Sequence, residues 1–159
     1  MILKGISTEN ITDYKKICLY LAFPHCSFKC DKEAGCNVCQ NSALASSANI
    51  EINEDKIIDN YIKNDLTSAI VFGGLEPFDD VDQLFSFIKK LREKTNDEVV
   101  IYTGYTKEEL SQMGYINQLK NYPNIIIKFG RFIPNQEKHF DEILGVSLAS
   151  LNQYAERIS

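Results

Sequence analysis

Four of the five cysteines in this chain of 159 residues lie within fourteen consecutive positions, as Cys26, Cys30, Cys36 and Cys39. Thiolates are soft ligands, which bind zinc ions and iron–sulfur clusters in preference to hard cations such as Mg²⁺. An odd number of cysteines fits a disulfide framework poorly, and their clustering favours metal ligation. Three, five and two residues separate the four cysteines, a spacing that fits either a tetrahedral zinc site or an iron–sulfur cluster.

Cys18, Cys36 and the two histidines have simpler interpretations. Cys18 alternates within an apolar run and is interpreted as a small core residue. Cys36 is interpreted as a spare thiol of the loop, with metal binding as the alternative. His25, which is next to Cys26, is expected to position the loop, and His139 is expected to lie on the surface.

The cysteine loop directly follows an apolar run at residues 18–23, which predicts a buried strand. Similar runs predict further strands at residues 69–72, 98–103 and 145–149, and another that begins at residues 125–127. We expect the second strand to stop at Gly73-Gly74, because paired glycines commonly mark a turn.

Helical patterns lie between these strands. Apolar residues with helical spacing predict helices over residues 55–63, with Asn53 as the N-cap, and over residues 81–91. Thr106 and Glu109 match a capping box, which predicts the start of a third helix.

Strands that alternate with helices predict a single α/β domain over residues 1–159 with a mainly parallel sheet, since parallel strands need crossover connections. The chain is too short for a full eight-stranded barrel of about 250 residues, so we expect a small partial, open β/α barrel. Ligands of such sheets bind at the carboxyl ends of the strands. The cysteine loop, residues 73–77 and residues 102–105 each follow a predicted strand, and we expect them to share one face.

Composition and charge exclude several classes of protein. With 44% apolar and 25% charged residues, the chain resembles an ordinary globular domain. A net charge of −5 and scattered basic residues argue against binding to nucleic acid. No apolar run approaches the roughly 20 residues that span a bilayer, and residues 1–10 lack a secretory pattern. We therefore expect a cytoplasmic protein that binds neither nucleic acid nor membrane.

The cysteine loop resembles that of radical S-adenosylmethionine (SAM) enzymes, in particular the activating proteins of anaerobic ribonucleoside-triphosphate reductase. That family shows Cys-x-x-x-Cys-x-x-Cys, with Asn two residues after the last Cys. Here Cys26 and Cys30 match the start of the motif, and Cys39 is followed by Gln and then Asn41. Eight residues separate Cys30 from Cys39, a longer gap than the family's.

The resemblance extends over most of the chain. Residues 73–77, Gly-Gly-Leu-Glu-Pro, are similar to the family's Gly-Gly-Glu/Asp-Pro loop with one Leu inserted. Thr-Gly-Tyr-Thr at 103–106, Gly-Arg-Phe at 130–132 and Asn-Gln at 152–153 follow in the family's order. Residues 13–16 read Asp-Tyr-Lys-Lys where the family usually has Asp-Gly-Pro-Gly.

This resemblance implies that Cys26, Cys30 and Cys39 hold a 4Fe–4S cluster in which one iron has no protein ligand. In the family that iron binds the amino and carboxylate groups of SAM. An electron from the reduced cluster cleaves the sulfonium C–S bond and yields methionine and a 5′-deoxyadenosyl radical, which then removes a hydrogen atom from the partner.

The same resemblance assigns the SAM contacts. Gly73 and Gly74 would let the backbone approach the ligand closely. Glu76 would accept from the methionine ammonium group or cap the next helix. Thr103 and Lys128 are expected, from their positions alone, to reach the ribose or the carboxylate. No side chain of this chain is expected to react itself.

The implied function is that of a radical SAM oxidoreductase that generates the glycyl radical of an anaerobic ribonucleoside-triphosphate reductase. The implied electron donor is a flavodoxin or a ferredoxin. One alternative is a stand-alone radical SAM enzyme that acts on a small molecule or a peptide. Another is a non-catalytic zinc or iron–sulfur binding module.

Overall fold

A computed structural model describes the whole chain, residues 1–159, and contains ten strands. In chain order they are β1 (Ile2–Leu3), β2 (Gly5–Asn10), β3 (Cys18–Phe23), β4 (Ile50–Glu51), β5 (Ala69–Gly74), β6 (Glu98–Tyr102), β7 (Ile125–Phe129), β8 (His139–Asp141), β9 (Val146–Leu148) and β10 (Tyr154–Arg157). Six of them form a central sheet in the order β10-β7-β6-β5-β3-β2, while β1 pairs with β4 and β8 pairs with β9.

Six short α-helices and one 3-10 turn connect the strands. The helices are α1 (Lys29–Ala34), α2 (Ser42–Ala45), α3 (Glu54–Ile62), α4 (Val81–Arg92), α5 (Lys107–Gln112) and α6 (Tyr115–Leu119), and the 3-10 turn is Pro77–Asp80. No helix combines the length and the apolar character that crossing a membrane requires.

The four inner strands β3, β5, β6 and β7 are parallel, and β2 and β10 pair antiparallel at the two edges. The edge strands do not pair with each other, so the sheet is open. The architecture is therefore mixed α/β with a mostly parallel central sheet. Its classification as a partial barrel of the radical SAM type stays a prediction.

Both faces of the sheet are covered, which explains why β5 and β7 are buried along their whole length. Helices α3, α4, α5 and α6 pack on one face and form the larger apolar core. On the other face, Tyr14, Leu144 and Leu148 form a smaller apolar layer with residues of the inner strands. The residues between β2 and β3 and the β8–β9 hairpin thus replace helices on that face.

Several local predictions are confirmed. The apolar run at residues 18–23 is β3, and the helical spacing at residues 81–91 is α4. The side chain of Asn53 accepts a hydrogen bond from the backbone N–H of Lys56, as an N-cap does. Thr106 and Glu109 form the reciprocal capping box at the start of α5.

The second strand ends at Gly73-Gly74, as expected, but both glycines belong to β5 and do not form a turn after it. They pair with Ala22 and Phe23 of β3. The Tyr20 hydroxyl accepts from the Gly74 N–H at 2.6 Å, and a Cβ atom at Gly73 would lie 2.6 Å from that hydroxyl. The glycines therefore allow two strands to pack closely. In the sequence, a glycine pair with this role looks the same as one that marks a turn.

Residues 145–149 do contain a strand, β9, but it pairs antiparallel with β8 outside the central sheet. The edge strands β2 and β10 were not predicted. Both carry mostly polar residues, and all of their residues except Ala155 are partly or fully exposed. Edge strands of this kind lack the apolar pattern from which a buried strand is recognised.

We expect Phe72→Ala to lower the free energy of unfolding by about 3–5 kcal/mol, the range for truncating a buried Phe. Phe72 is fully buried in β5 and makes edge-to-face contacts with Phe23 and Phe87, at centroid distances of 5.7 and 5.5 Å. Urea unfolding of the cluster-free protein measures the change. Phe140→Ala is the control, because Phe140 is 63% exposed and should change stability by no more than about 0.5 kcal/mol. A loss below 1 kcal/mol for Phe72→Ala would contradict this account of the core.

Candidate functional site

A cavity of about 310 Å³ opens at the carboxyl ends of the parallel strands. The structure brings all but one of the predicted site residues to its walls: Cys26, Cys30, Cys39, Gly74, Glu76, Thr103 and Lys128. The exception is Gly73, which packs against Tyr20 inside the sheet instead. Because the four strands are parallel, the loops that follow them meet at one edge, as expected from the sequence.

The cysteine loop contains little regular structure and is shaped by side chain to backbone hydrogen bonds. The Asp31 carboxylate accepts from the backbone N–H groups of Val38 and Cys39, both at 2.8 Å, and so closes the long gap between Cys30 and Cys39. The N–H of Phe28 donates to the Cys26 sulfur at 3.2 Å. The residues between the second and third predicted ligands thus fold back and return Cys39 to the cavity.

Both ends of this loop are attached to the end of β5 and to the 3-10 turn that follows it. The His25 carbonyl accepts from the Glu76 N–H at 2.8 Å, and the Asp79 carboxylate accepts from the N–H of Ser27. At the other end, the Asn41 amide donates to the Gly74 carbonyl at 2.6 Å. The Asn that follows the last predicted ligand therefore fixes the loop to the glycine pair.

The three predicted ligands are half-buried, and burial favours the neutral thiol. Burial raises the pKa of Cys26 to about 12 and also raises the pKa of Cys30, although the Phe132 amide and the charges of Arg131 and Lys128 oppose the shift at Cys30. Thiolates at these positions therefore need a positive group close by, which the iron atoms of a cluster supply.

The donor set fits an iron–sulfur cluster. Cys26, Cys30 and Cys39 line one cavity that has open space beside them. No three His, Cys, Asp or Glu side chains converge as the ligands of a single metal ion do. A 4Fe–4S cluster takes each thiolate at a different iron atom, so ligands distributed around one cavity suit it.

The other two cysteines lie outside the cavity. Cys36 is exposed in the loop, and its sulfur donates to the Ala34 carbonyl at 3.7 Å. Cys18 is buried in the smaller core, and burial raises the pKa of its thiol to about 12. The structure thus separates these two thiols from the three that face the cavity.

Glu76 is fully buried at the base of the cavity and accepts three hydrogen bonds. The donors are the Thr103 hydroxyl at 2.7 Å, the Gly104 N–H at 2.8 Å and the Phe78 N–H at 3.1 Å. Burial outweighs these bonds and raises the pKa of Glu76 to about 7. Of its two expected roles, Glu76 has that of the cap, since it is the N-cap of the 3-10 turn.

Lys128, near the end of β7, is a buried cation with spare hydrogen-bonding capacity. Its ammonium group donates only to the Gly130 carbonyl, at 3.0 Å, and two of its N–H groups have no protein acceptor. Burial lowers the pKa of Lys128 to about 8, while the charges of Glu76 and Cys30 oppose the shift. The ammonium group lines the cavity without a salt bridge, and the centre of the Tyr102 ring lies 6.0 Å from it.

The sequence did not indicate one wall of the cavity, residues 146–149 of the β9 segment. The Gln153 side chain holds this wall, because it accepts from the N–H groups of Ala149 and Ser150 and donates to the Gly130 carbonyl. The Asn-Gln pair at residues 152–153 was the available signal for this wall. Asp13, Tyr20 and Tyr102 also line the cavity, and the two tyrosines pack against the same smaller core as Val146 of this wall.

A family model described as a 4Fe-4S single cluster domain matches residues 15–152 of the chain. No curated protein and no solved structure gives a significant match. The matched range contains the cysteine loop, the four parallel strands and the β9 wall, and of the residues that line the cavity only Thr12, Asp13 and Gln153 lie outside it. The chain therefore belongs to the 4Fe-4S single cluster domain family and is an iron–sulfur protein.

Proposed function

We propose that this iron–sulfur protein is a radical SAM oxidoreductase in which Cys26, Cys30 and Cys39 are the cluster ligands. When bound, the cluster would supply the electron that cleaves the sulfonium C–S bond of SAM, with methionine and a 5′-deoxyadenosyl radical as products. Three ligands leave one iron of a 4Fe–4S cluster open, which is the condition for a catalytic metal rather than a closed structural one. The chain's own residues bind and orient the substrate.

The observation that carries this proposal is the unpaired Lys128 ammonium group in the same cavity as the three thiols. A buried cation without a counter-ion is unfavourable, and a ligand carboxylate would recover that cost by a charge-assisted hydrogen bond. SAM carries such a carboxylate at its methionine end.

An acceptor for the SAM ammonium group lines the same cavity. The Gly74 carbonyl accepts from Asn41 through one lone pair and has a second one available. Glu76, the nearest carboxylate along the chain, is already bound to Thr103, Gly104 and Phe78, so it supplies negative charge more than free acceptor atoms. The methionine end of SAM would thus lie between a positive and a negative group.

The cavity mouth suits a protein substrate. Ile133, Phe140 and Leu151 are large apolar side chains exposed on the segments around the β9 wall. Phe140 pairs with Ser147, a cavity-lining residue, across the β8–β9 hairpin. Apolar side chains that flank an open cavity are typical of protein–protein contact.

We therefore propose that a glycyl-radical protein, an anaerobic ribonucleoside-triphosphate reductase, docks at this mouth and places its glycine within reach of the radical. A flavodoxin or ferredoxin is the proposed electron donor. The proposed fold is a single radical SAM domain with an open, partial barrel. The experiments below distinguish this function from the two alternatives, a stand-alone enzyme and a non-catalytic module.

The ligand assignment predicts that Cys26→Ala, Cys30→Ala and Cys39→Ala each abolish stable 4Fe–4S binding. Cys36→Ala and Cys18→Ala are the matched controls and should retain it, since those thiols lie outside the cavity. Anaerobic reconstitution followed by iron and sulfide analysis measures the outcome. A full cluster in Cys39→Ala, or a loss confined to Cys36→Ala, would show that a different third ligand is used.

The role assigned to Lys128 predicts that Lys128→Met weakens SAM binding by about 10- to 100-fold, the effect of losing a hydrogen bond to a charged group. The cluster content should be unchanged. Equilibrium titration of the reconstituted protein with SAM provides the measurement, and Lys107→Met, which removes an exposed lysine paired with Glu156, is the control. Equal affinity of Lys128→Met and the wild type would remove the main support for SAM as the ligand.

The proposed partner predicts a glycyl-radical signal in electron paramagnetic resonance when the reduced protein, SAM and the anaerobic reductase from the same source are mixed. Phe140→Asp should reduce radical transfer at least tenfold while SAM cleavage without the reductase continues, because Phe140 is exposed and does not line the cavity. SAM cleavage without any reductase radical would favour a stand-alone enzyme. Absence of cleavage would favour a binding module.

A further inference from the structure

Helix α1 carries Cys30 yet has no apolar attachment to the domain. None of its six residues is buried, and its N-cap, Phe28, has φ 52° and forms no capping hydrogen bond. An isolated helix of this length is unstable in water. The Ser27 N–H bond to Asp79 just before the helix and the Phe132 amide bond to the Cys30 sulfur hold this segment in part. The remaining contacts of α1 with the domain come from its surface side chains.

Two charged side chains of α1 make these contacts. Lys29 and Glu33 are four residues apart and thus lie on the same side of the helix. The Lys29 ammonium group lies 3.9 Å from the centre of the Tyr105 ring and 3.5 Å from the Glu109 carboxylate. Glu33 Oε1 lies 2.9 Å from Arg131 Nε, without an aligned hydrogen bond, so this contact is ionic.

The residues on the domain side are themselves fixed. Only 10% of the Arg131 side chain is exposed, and its guanidinium donates to both Glu109 oxygens, at 2.9 and 2.6 Å. Glu109 also accepts from the Thr106 N–H at 2.8 Å, as part of the capping box of α5. A bidentate and mostly buried pair of this kind keeps its geometry, unlike an exposed single contact.

We propose that Arg131, held by Glu109, is a positioning residue that docks α1 through Glu33 and so places Cys30 at the cavity. The inference rests on the proposed role of Cys30 as a cluster ligand. A Cβ atom placed on Gly104 would lie 3.7 Å from Arg131 Cγ and 3.9 Å from Cys30 Sγ. The two side chains are therefore neighbours. The positive charge of Arg131 is thus near the iron that Cys30 would bind, and it favours the reduced, more negative cluster.

Cluster release measures the positioning effect. In the anaerobically reconstituted protein, an iron(II) chelator should remove the cluster about tenfold faster from Arg131→Gln than from the wild type, as for other residues that support metal ligands. Glu33→Gln should show a smaller acceleration in the same direction. Lys107→Gln is the matched control, because Lys107 lies on α5 but pairs with Glu156 and not with α1.

The cluster's reduction potential separates this role from a general loss of stability. Arg131→Gln should shift the potential to more negative values and Glu33→Gln to more positive values, because the two substitutions remove opposite charges. Arg131→Lys should keep the potential close to that of the wild type but release the cluster faster, since lysine lacks the bidentate fork. A structural defect alone would not produce shifts of opposite sign.

Several outcomes would overturn the inference or its premise. Wild-type release rates and potentials in both Arg131→Gln and Glu33→Gln would show that α1 is positioned without Arg131. If Arg131→Gln does not fold, Glu33→Gln still decides the question, because 62% of the Glu33 side chain is exposed and its substitution leaves the core intact. A complete cluster in Cys30→Ala would instead overturn the ligand assignment on which the inference rests.

Discussion

Parallel pairing of the four inner strands is the constraint on which the rest of this structure depends. It brings the carboxyl ends of β3, β5, β6 and β7 to one edge, so four sequence segments that are far apart in the chain contribute to one cavity. Each strand contributes a different chemistry: thiols after β3, Glu76 after β5, Thr103 after β6 and Lys128 within β7. The close contact of Tyr20 with the glycine pair sets how near β3 and β5 approach at this edge.

The cavity contains two buried ionisable groups that do not neutralise each other. Burial raises the pKa of Glu76 and lowers that of Lys128, and no ion pair joins the two residues. Groups held in this way cost stability, and that cost is typical of sites that recover it when a ligand binds. A zwitterionic ligand that spans the cavity would satisfy both ends at once, and the proposal that SAM is the ligand rests on this chemistry.

The sequence was sufficient for the parts of the site that depend on local chemistry. Residue type identified the thiols, apolar runs located the inner strands, and the capping box of Thr106 and Glu109 located α5. The parts that depend on distant packing could not be read in this way. In the sequence the glycine pair resembles a turn, because the Tyr20 hydroxyl, which requires the glycines, lies 53 residues before Gly73. The β9 wall depends on hydrogen bonds to the single side chain of Gln153.

The cysteine loop is anchored by polar contacts alone, since neither α1 nor α2 buries a residue in either core. The hydrophobic contacts that drive folding are therefore complete without the loop. It follows that the domain can fold before it receives iron and sulfide, and that the cluster is a late addition to a finished scaffold rather than a template for it. Opening of the loop would therefore break polar contacts, the Arg131–Glu33 pair among them, and leave both apolar cores intact.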